Sequence, residues 1–271
     1  MDTSSARRGQ VSRDAAEVYE KFFVPALFGQ WAGHTLDAAG ITETSGPGRR
    51  VLDVGCGTGV VAREAARRVG PTGRVRGLDP NAGMLAVARR AAPDVGWHAG
   101  AAEEMPFDDA SFDAVVCQFV LMFVADRARA LAEMARVCAP GGRITVGTWC
   151  AVEESPGYAV MVDLLGQVLG RWAAEAMLAP FAIGSAEQLH ALVAPVLSDV
   201  EVSRHEGWAR FESVEAWLHT DVRGWTLADG VSDDDYAALL SAARRPLARF
   251  TDGSGRVRFP APALFATAPA P

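Results

Sequence analysis

The chain has 271 residues, is 49% hydrophobic and carries a formal net charge of −7. That length suits one large domain, or one domain with inserted elements, and holds enough apolar residues for a sizeable core. Its basic residues come no denser than the pairs Arg67-Arg68 and Arg89-Arg90, which does not suit a nucleic-acid backbone, so no nucleic-acid partner is expected. No stretch approaches the roughly 18 uninterrupted apolar residues of a membrane span, and the polar N-terminus lacks the apolar core of a secretory signal. A cytoplasmic protein without a membrane span is expected. Cys56, Cys117, Cys138 and Cys150 are far apart and form no Cys-x-x-Cys pair, which points to buried free thiols and to no metal site.

Taken in chain order, residues 1–13 are expected to fray, and the aromatic run from Val18 to Trp31 precedes the first strand. Strands are predicted over Arg50–Val54, Arg74–Leu78, Gly96–Ala99, Phe112–Gln118 and Gly142–Trp149. Between them lie helices: one ends near Val69 before Gly70-Pro71, and one is capped by Asn81 and ends near Pro93. A third follows Asp126, carries Leu131, Met134 and Val137 on one face, and closes at Pro140-Gly141-Gly142. This alternation is the signature of a doubly wound α/β parallel sheet, whose ligands bind outside the carboxyl ends of the strands. Further on, Ser155-Pro156 starts a helix whose stripe holds Tyr158, Met161, Leu165, Leu169 and Trp172, and Ser185 with Gln188 forms a capping box. Val200–His205 and Ala263–Thr267 read as the last two strands, with helices near Val214–Arg223 and Asp233–Leu247 between them. The Ala- and Pro-rich tail beyond the last strand is expected to fray. Trp149, Trp172, Trp208, Trp217 and Trp225 fall in this second half, where large aromatics suit a roomy apolar pocket or an ordinary helical core.

The run Val51-Leu52-Asp53-Val54-Gly55-Cys56-Gly57-Thr58-Gly59 joins a buried strand to a helix through three glycines. Gly55 and Gly57, without Cβ atoms, let a ligand lie against the main chain, and the following helix points free N–H groups at it. The third glycine comes one position too early for a Gly-x-Gly-x-x-Gly dinucleotide fingerprint, and Asp53 beside the turn would repel a pyrophosphate while suiting a cationic or amine-bearing ligand. The nine residues resemble motif I of the class I S-adenosylmethionine-dependent methyltransferases. Gly77-Leu78-Asp79-Pro80-Asn81-Ala82-Gly83-Met84-Leu85 is similar to motif II of their quinone-biosynthesis group. The segments Gly100–Phe107, Phe112–Gln118 and Arg136–Arg143 continue the pattern, so the resemblance covers about residues 48–149.

That resemblance implies a Rossmann-like, mostly parallel seven-stranded sheet in the order 3-2-1-4-5-7-6, with helical insertions forming a cap. It divides the chain into an N-terminal helical lid (1–47), an S-adenosylmethionine-binding core (48–150), and a remainder (151–271) that completes the sheet and supplies the cap. Asp53, Gly55 and Gly57 are then expected at the methionine end of S-adenosylmethionine, with Asp79 and Pro80 at the ribose, Met84 near the adenosine, and the Gln118 carbonyl at the amino group. A helix-capping role is the plainer reading of Asp79 taken alone, and a core role explains Met84 almost as well. In the family an aspartate that binds the adenine amino group stands where this chain has Ala101, which leaves adenine to Ala101, Ala102 and Glu103.

For such chemistry the protein has chiefly to hold a nucleophile in line at roughly 3 to 3.5 Å, which is worth on the order of 7 to 11 kcal/mol. A base is optional. Relatives with a His-His pair after the fourth strand would align it with Met122 and Phe123, which here predict an apolar wall. His34 and His219 are the remaining base candidates, both weak. Similar enzymes fold the N-terminal segment over the ligand, which puts Tyr19, Phe28 and Trp31 at the substrate pocket. The expected activity is methyl transfer to a small hydrophobic or aromatic metabolite, with S-adenosylhomocysteine as product, no metal and a homodimer as the assembly. A cyclase or rearrangement catalyst of the same fold that keeps its methyl group is the alternative.

Overall fold

The computed structural model describes residues 12–224, 227, 228 and 230–271; of the stretch 1–13 expected to fray, residues 1–11 lie outside the described residues, as does Trp225, while Ser12 caps and Arg13 begins the first helix. Strands β1 (Arg50–Val54), β2 (Arg74–Asp79), β3 (Gly96–Ala99), β4 (Phe112–Gln118) and β5 (Cys138–Trp149) pair in parallel. β9 (Ala263–Pro269) pairs antiparallel with β5 and with the edge strand β6 (Glu201–His205), and the seven strands run in the order β3-β2-β1-β4-β5-β9-β6. That is the order expected from the sequence, with β9 as the seventh strand of the large sheet. β7 (Trp208–Phe211) and β8 (Val257–Pro260) pair antiparallel as a small separate sheet that the sequence reading missed.

The helices are α1 (Arg13–Val18), α2 (Gly29–Ala38), α3 (Val60–Val69), α4 (Ala82–Ala91), α5 (Arg127–Val137), α6 (Pro156–Val168), α7 (Arg171–Leu178), α8 (Ala186–Val193), α9 (Val214–Arg223) and α10 (Asp233–Leu247). Between α1 and α2 lies a π-helix, Tyr19–Phe28. Among the described residues no helix is long and apolar enough to cross a membrane.

Alternation along the strands divides the core. Val51, Ala114 and Val116 face the layer that holds Val61, Ala65 and Leu36, whereas Leu52, Val54 and Val115 face Leu131, Met134 and the insertion helices. Caps foreseen in the sequence form as expected: Asn81 accepts from the Met84 N–H at 2.9 Å, and Ser185 and Gln188 make a capping box.

Three expectations need correction. β5 begins at Cys138, because Cys138 pairs with Phe112 across a register shift and so draws the Pro140-Gly141 turn into the strand. The stripe through Trp172 breaks at Gly170, whose φ of +96° ends the helix; Trp172 sits on the next helix, 37% exposed. The C-terminal tail does not fray after Thr267: β9 runs to Pro269, and the Ala270 N–H donates to the Gly142 carbonyl at 2.9 Å.

Candidate functional site

Two neighbouring hollows lie beyond the carboxyl ends of β1, β2 and β4. The first, about 710 Å³, is walled by the glycine turn, Asp53, Asp79, Pro80, Met84 and Gln118. The second, about 520 Å³, is an aromatic chamber that includes Phe23, Trp149, Phe181, Tyr158 and Asp221. Tyr19, Phe28, Phe119 and Phe123 wall both.

The turn after β1 has the backbone its glycines allow. Gly55 and Gly57 have φ of +68° and +53°, a region costly to residues with a Cβ. A Cβ on Gly55 would overlap Val120, while one on Gly57 would meet nothing within 4 Å, so the turn's backbone is open to a ligand at Gly57. The Gly55 and Cys56 N–H groups donate to the Leu78 carbonyl at 2.7 and 3.0 Å, and the Asp79 carboxylate accepts from the Gly57 N–H at 2.9 Å and the Asn81 N–H at 2.8 Å. Asp79 is thereby fixed between the glycine turn and the α4 cap with its carboxylate still at the wall of the hollow. Asp53 accepts from the Ala62 N–H in the first turn of α3 at 3.0 Å.

Burial pushes Asp53 up to about 7, with the Asp79 charge adding to the rise, and pushes Asp79 up to about 6. Both groups hold protons more tightly than an ordinary aspartate because they are buried and, among the described residues, no ion pair reaches them; a cationic ligand would reverse that. Burial also raises the Cys56 thiol well above its ordinary value, which makes it a poor nucleophile.

The N-terminal segment is stitched down at both ends. Glu20 pairs with Arg63 of α3 at 2.7 Å, and the Gln30 side chain donates to the Trp208 carbonyl at 2.8 Å and accepts from its N–H at 3.1 Å. Between these anchors the π-helix turns Tyr19 and Phe28 into the hollows, their rings stacked at 5.1 Å. π-helical turns are uncommon and recur at functional sites.

The other residues singled out in the sequence lie away from the hollows. Trp31, expected at the substrate, is fully buried behind the walls, packed edge-on to Phe119 and Trp149. Met122 is buried beneath the site, and only Phe123 of that pair reaches the walls. Ala101 is exposed and Ala102 half-buried. Glu103 faces the start of α5, accepting from the Asp126 N–H at 3.4 Å, while Glu133 accepts from the Met105 N–H at 2.9 Å and from Arg136 at 2.7 Å. His34 is exposed beside His205, and His219 lies edge-on to Phe22 at 5.5 Å; neither lines a hollow.

What the sequence reading missed is the chamber's frame. Phe119 follows β4 with φ of +58°, a strained conformation for a bulky residue, and lies flat on Trp149 with centroids 3.8 Å apart and planes 1° from parallel. Nothing in the local sequence announces that. For Asp221 a signal was present: it stands four residues after Trp217, one helical turn, and the Trp217 Nε1–H donates to its Oδ2 at 2.7 Å.

Residues 52–146 match the family described as "Methyltransferase domain". The chain is 39% identical over 140 residues to a demethylmenaquinone methyltransferase of Renibacterium salmoninarum, covering 52% of this chain and 56% of that protein. It is 41% identical over 122 residues to the ubiquinone/menaquinone biosynthesis C-methyltransferase UbiE of Hahella chejuensis, covering 43% and 47%. Residues 52–146 thus match a methyltransferase domain, and the curated relatives similar to this chain are quinone-biosynthesis methyltransferases. The chain spans about half the length of the curated relatives it matches. In fold it is similar to phosphoethanolamine N-methyltransferase 2 of Haemonchus contortus solved with S-adenosyl-L-methionine, with a TM-score of 0.60 and 19% identity, covering 96% of this chain and 58% of that one. The matched segment stops before α6, so the aromatic chamber is built largely from residues outside it.

Proposed function

We propose that this protein transfers a methyl group from S-adenosylmethionine to a small hydrophobic or aromatic acceptor in the cytoplasm. The observation that carries the reading is the common wall: a glycine-turn hollow with two buried carboxyls opens beside an aromatic chamber, and Tyr19, Phe28, Phe119 and Phe123 belong to both. The residues suit the cofactor. Asp53 and Asp79 are buried acids that no ion pair among the described residues reaches, and the Gly57 backbone lies open. Bound there, S-adenosylmethionine would supply a methyl group already activated on a sulfonium.

The chain's own contribution is positioning. Asp79, held by the Gly57 and Asn81 N–H groups, offers its remaining lone pairs to ribose hydroxyls. Asp53 and the Gln118 end of β4 face the amino-acid end, with the Gln118 side chain held by the Thr35 hydroxyl. Pro80 and Met84 supply apolar wall on the nucleoside side, while Ala101, Ala102 and Glu103, expected at the adenine, do not line this hollow. The four shared aromatics exclude water from the passage between the hollows, and Phe119 on Trp149 makes a flat rigid floor for an acceptor.

Calorimetry of the purified protein against S-adenosylmethionine and S-adenosylhomocysteine tests the assignment. Binding of both, lost in Asp79→Ala, is expected; no binding of either, with Asp79→Ala changing nothing, overturns it. Accumulation of S-adenosylhomocysteine during turnover separates transfer from a cyclase that keeps its methyl group.

A further inference from the structure

The aromatic chamber has one polar corner, and it is unsatisfied. Asp221 on α9 is 1% exposed; its Oδ2 accepts from Trp217 Nε1, and its Oδ1 has no hydrogen-bond partner. The Tyr158 hydroxyl, from α6, is likewise buried without a partner. Both residues line the chamber, and none of the described ion pairs reaches Asp221. Folded proteins seldom leave a buried carboxyl oxygen and a buried hydroxyl bare, because each loses its water without replacement. Two such atoms from separate helices line the same hollow, where a ligand can meet both. Burial raises the Tyr158 hydroxyl well above its ordinary value, and the Asp221 charge raises it further.

We propose that Asp221 and Tyr158 are the specificity-determining pair of the acceptor chamber and hold a hydroxyl group on an otherwise flat, apolar acceptor. The inference rests on reading the chamber as the methyl acceptor's site. Donor and acceptor counts select the ligand class. A hydroxyl gives one hydrogen and accepts another, which matches a carboxyl oxygen beside a phenolic O–H whichever of the two carries the donated proton. An ammonium has three hydrogens and no acceptor, so it satisfies the Asp221 oxygen and leaves the Tyr158 O–H hydrogen without an acceptor. An ether accepts from Tyr158 but gives Asp221 no hydrogen, and a bare hydrocarbon leaves both atoms as they are. Trp217 keeps the carboxyl in one orientation, and Phe119, Trp149 and Phe181 supply the apolar contact with the body of the ligand.

The test is a fluorescence titration of the full-length protein, with and without S-adenosylhomocysteine, against 2-naphthol, 2-methoxynaphthalene and 1-naphthylmethylamine. Wild-type protein is expected to bind the naphthol at least tenfold tighter than the ether or the amine. Tyr158→Phe should cut that preference to threefold or less, and Asp221→Leu should abolish it. S-adenosylhomocysteine affinity should stay within twofold in both. Tyr158→Phe removes a single oxygen, so it still decides the matter if Asp221→Leu does not fold. Equal binding of naphthol and ether by wild type, preference for the amine, no binding of any probe, or a preference that survives Tyr158→Phe each overturns the proposal. Failure of S-adenosylhomocysteine to bind wild type is a separate readout and counts against the methyltransferase reading instead.

Discussion

The two hollows share a wall but are built by different means. Around the glycine turn the groups that matter are backbone N–H groups and two carboxyls fixed by them, all within the segment Asp53–Gln118. In the chamber they are ring faces and two bare oxygens, contributed by the π-helix, the end of β4, β5, α6, α7 and α9. A site made of backbone depends on local sequence, because the turn needs glycine where φ is positive and an acid at the strand end. A site made of packed rings depends on which distant elements meet. The first tolerates little change at its own residues, and the second can be re-cut by altering insertions that leave the sheet alone.

The sharpest break between them comes from Asp79→Ala. It removes a carboxylate that two backbone N–H groups and, in the proposed complex, two ribose hydroxyls would use. Hydrogen bonds to a charged group contribute about 1.5–3 kcal/mol each, so losing those to the ligand should weaken S-adenosylhomocysteine binding on the order of a hundredfold or more. Calorimetry reads this directly, and 2-naphthol binding in the chamber should persist. A variant that lost both together would show that the two hollows act as one.

Trp149→Ala is the reciprocal cut. Trp149 is 4% exposed and carries Phe119 flat against it. Truncating a buried tryptophan costs about 3–5 kcal/mol, which a shift of the urea midpoint at unchanged slope would report. Aromatic probes should lose affinity, while the surviving folded protein should bind S-adenosylhomocysteine within a few-fold of wild type.

Proton linkage distinguishes the hollows next. Asp53 and Asp79 are raised to about 7 and about 6 in the free protein, and a cationic ligand favours their ionised forms. The free protein therefore binds protons that the ligand must expel. Affinity for S-adenosylmethionine should be full above about pH 7 and fall as pH drops through the two values. A loss on the order of 10- to 100-fold between pH 8 and pH 5.5 is expected from that linkage, with proton release visible as a dependence of the measured heat on buffer. Because 2-naphthol carries no positive charge to pair with them, its affinity should not follow this profile.

The same division explains what could be read in advance. The Asn81 and Ser185 caps and the limits of α9 and α10 were legible because turn chemistry and periodicity are local, whereas the strand order followed from the resemblance of the glycine-turn segment to a known family. The π-helix, the β7–β8 pair and the positive φ at Phe119 were not, since each depends on packing between residues far apart in sequence. Trp31 was placed at the ligand because similar enzymes fold this aromatic segment over it, and the structure uses it as core. Asp221 was passed over although it stands four residues from Trp217, on the same helical face.

The smallest expected effect separates a tryptophan of the chamber from one that only borders the insertion. Trp172 was grouped with Tyr158 and Met161 on one helical stripe, but Gly170 interrupts the helix and turns Trp172 outward, 37% exposed, its Nε1 donating to the Leu169 carbonyl at 2.8 Å. Trp172→Ala should cost no more than about 1 kcal/mol, since substitutions near the surface without a buried polar partner or a cavity fall in that range. Aromatic probe affinity and S-adenosylhomocysteine binding should both be unchanged. If Trp172→Ala weakened the probes as Trp149→Ala does, the chamber would have to extend across α7, and the corner formed by Asp221 and Tyr158 would no longer mark its polar end.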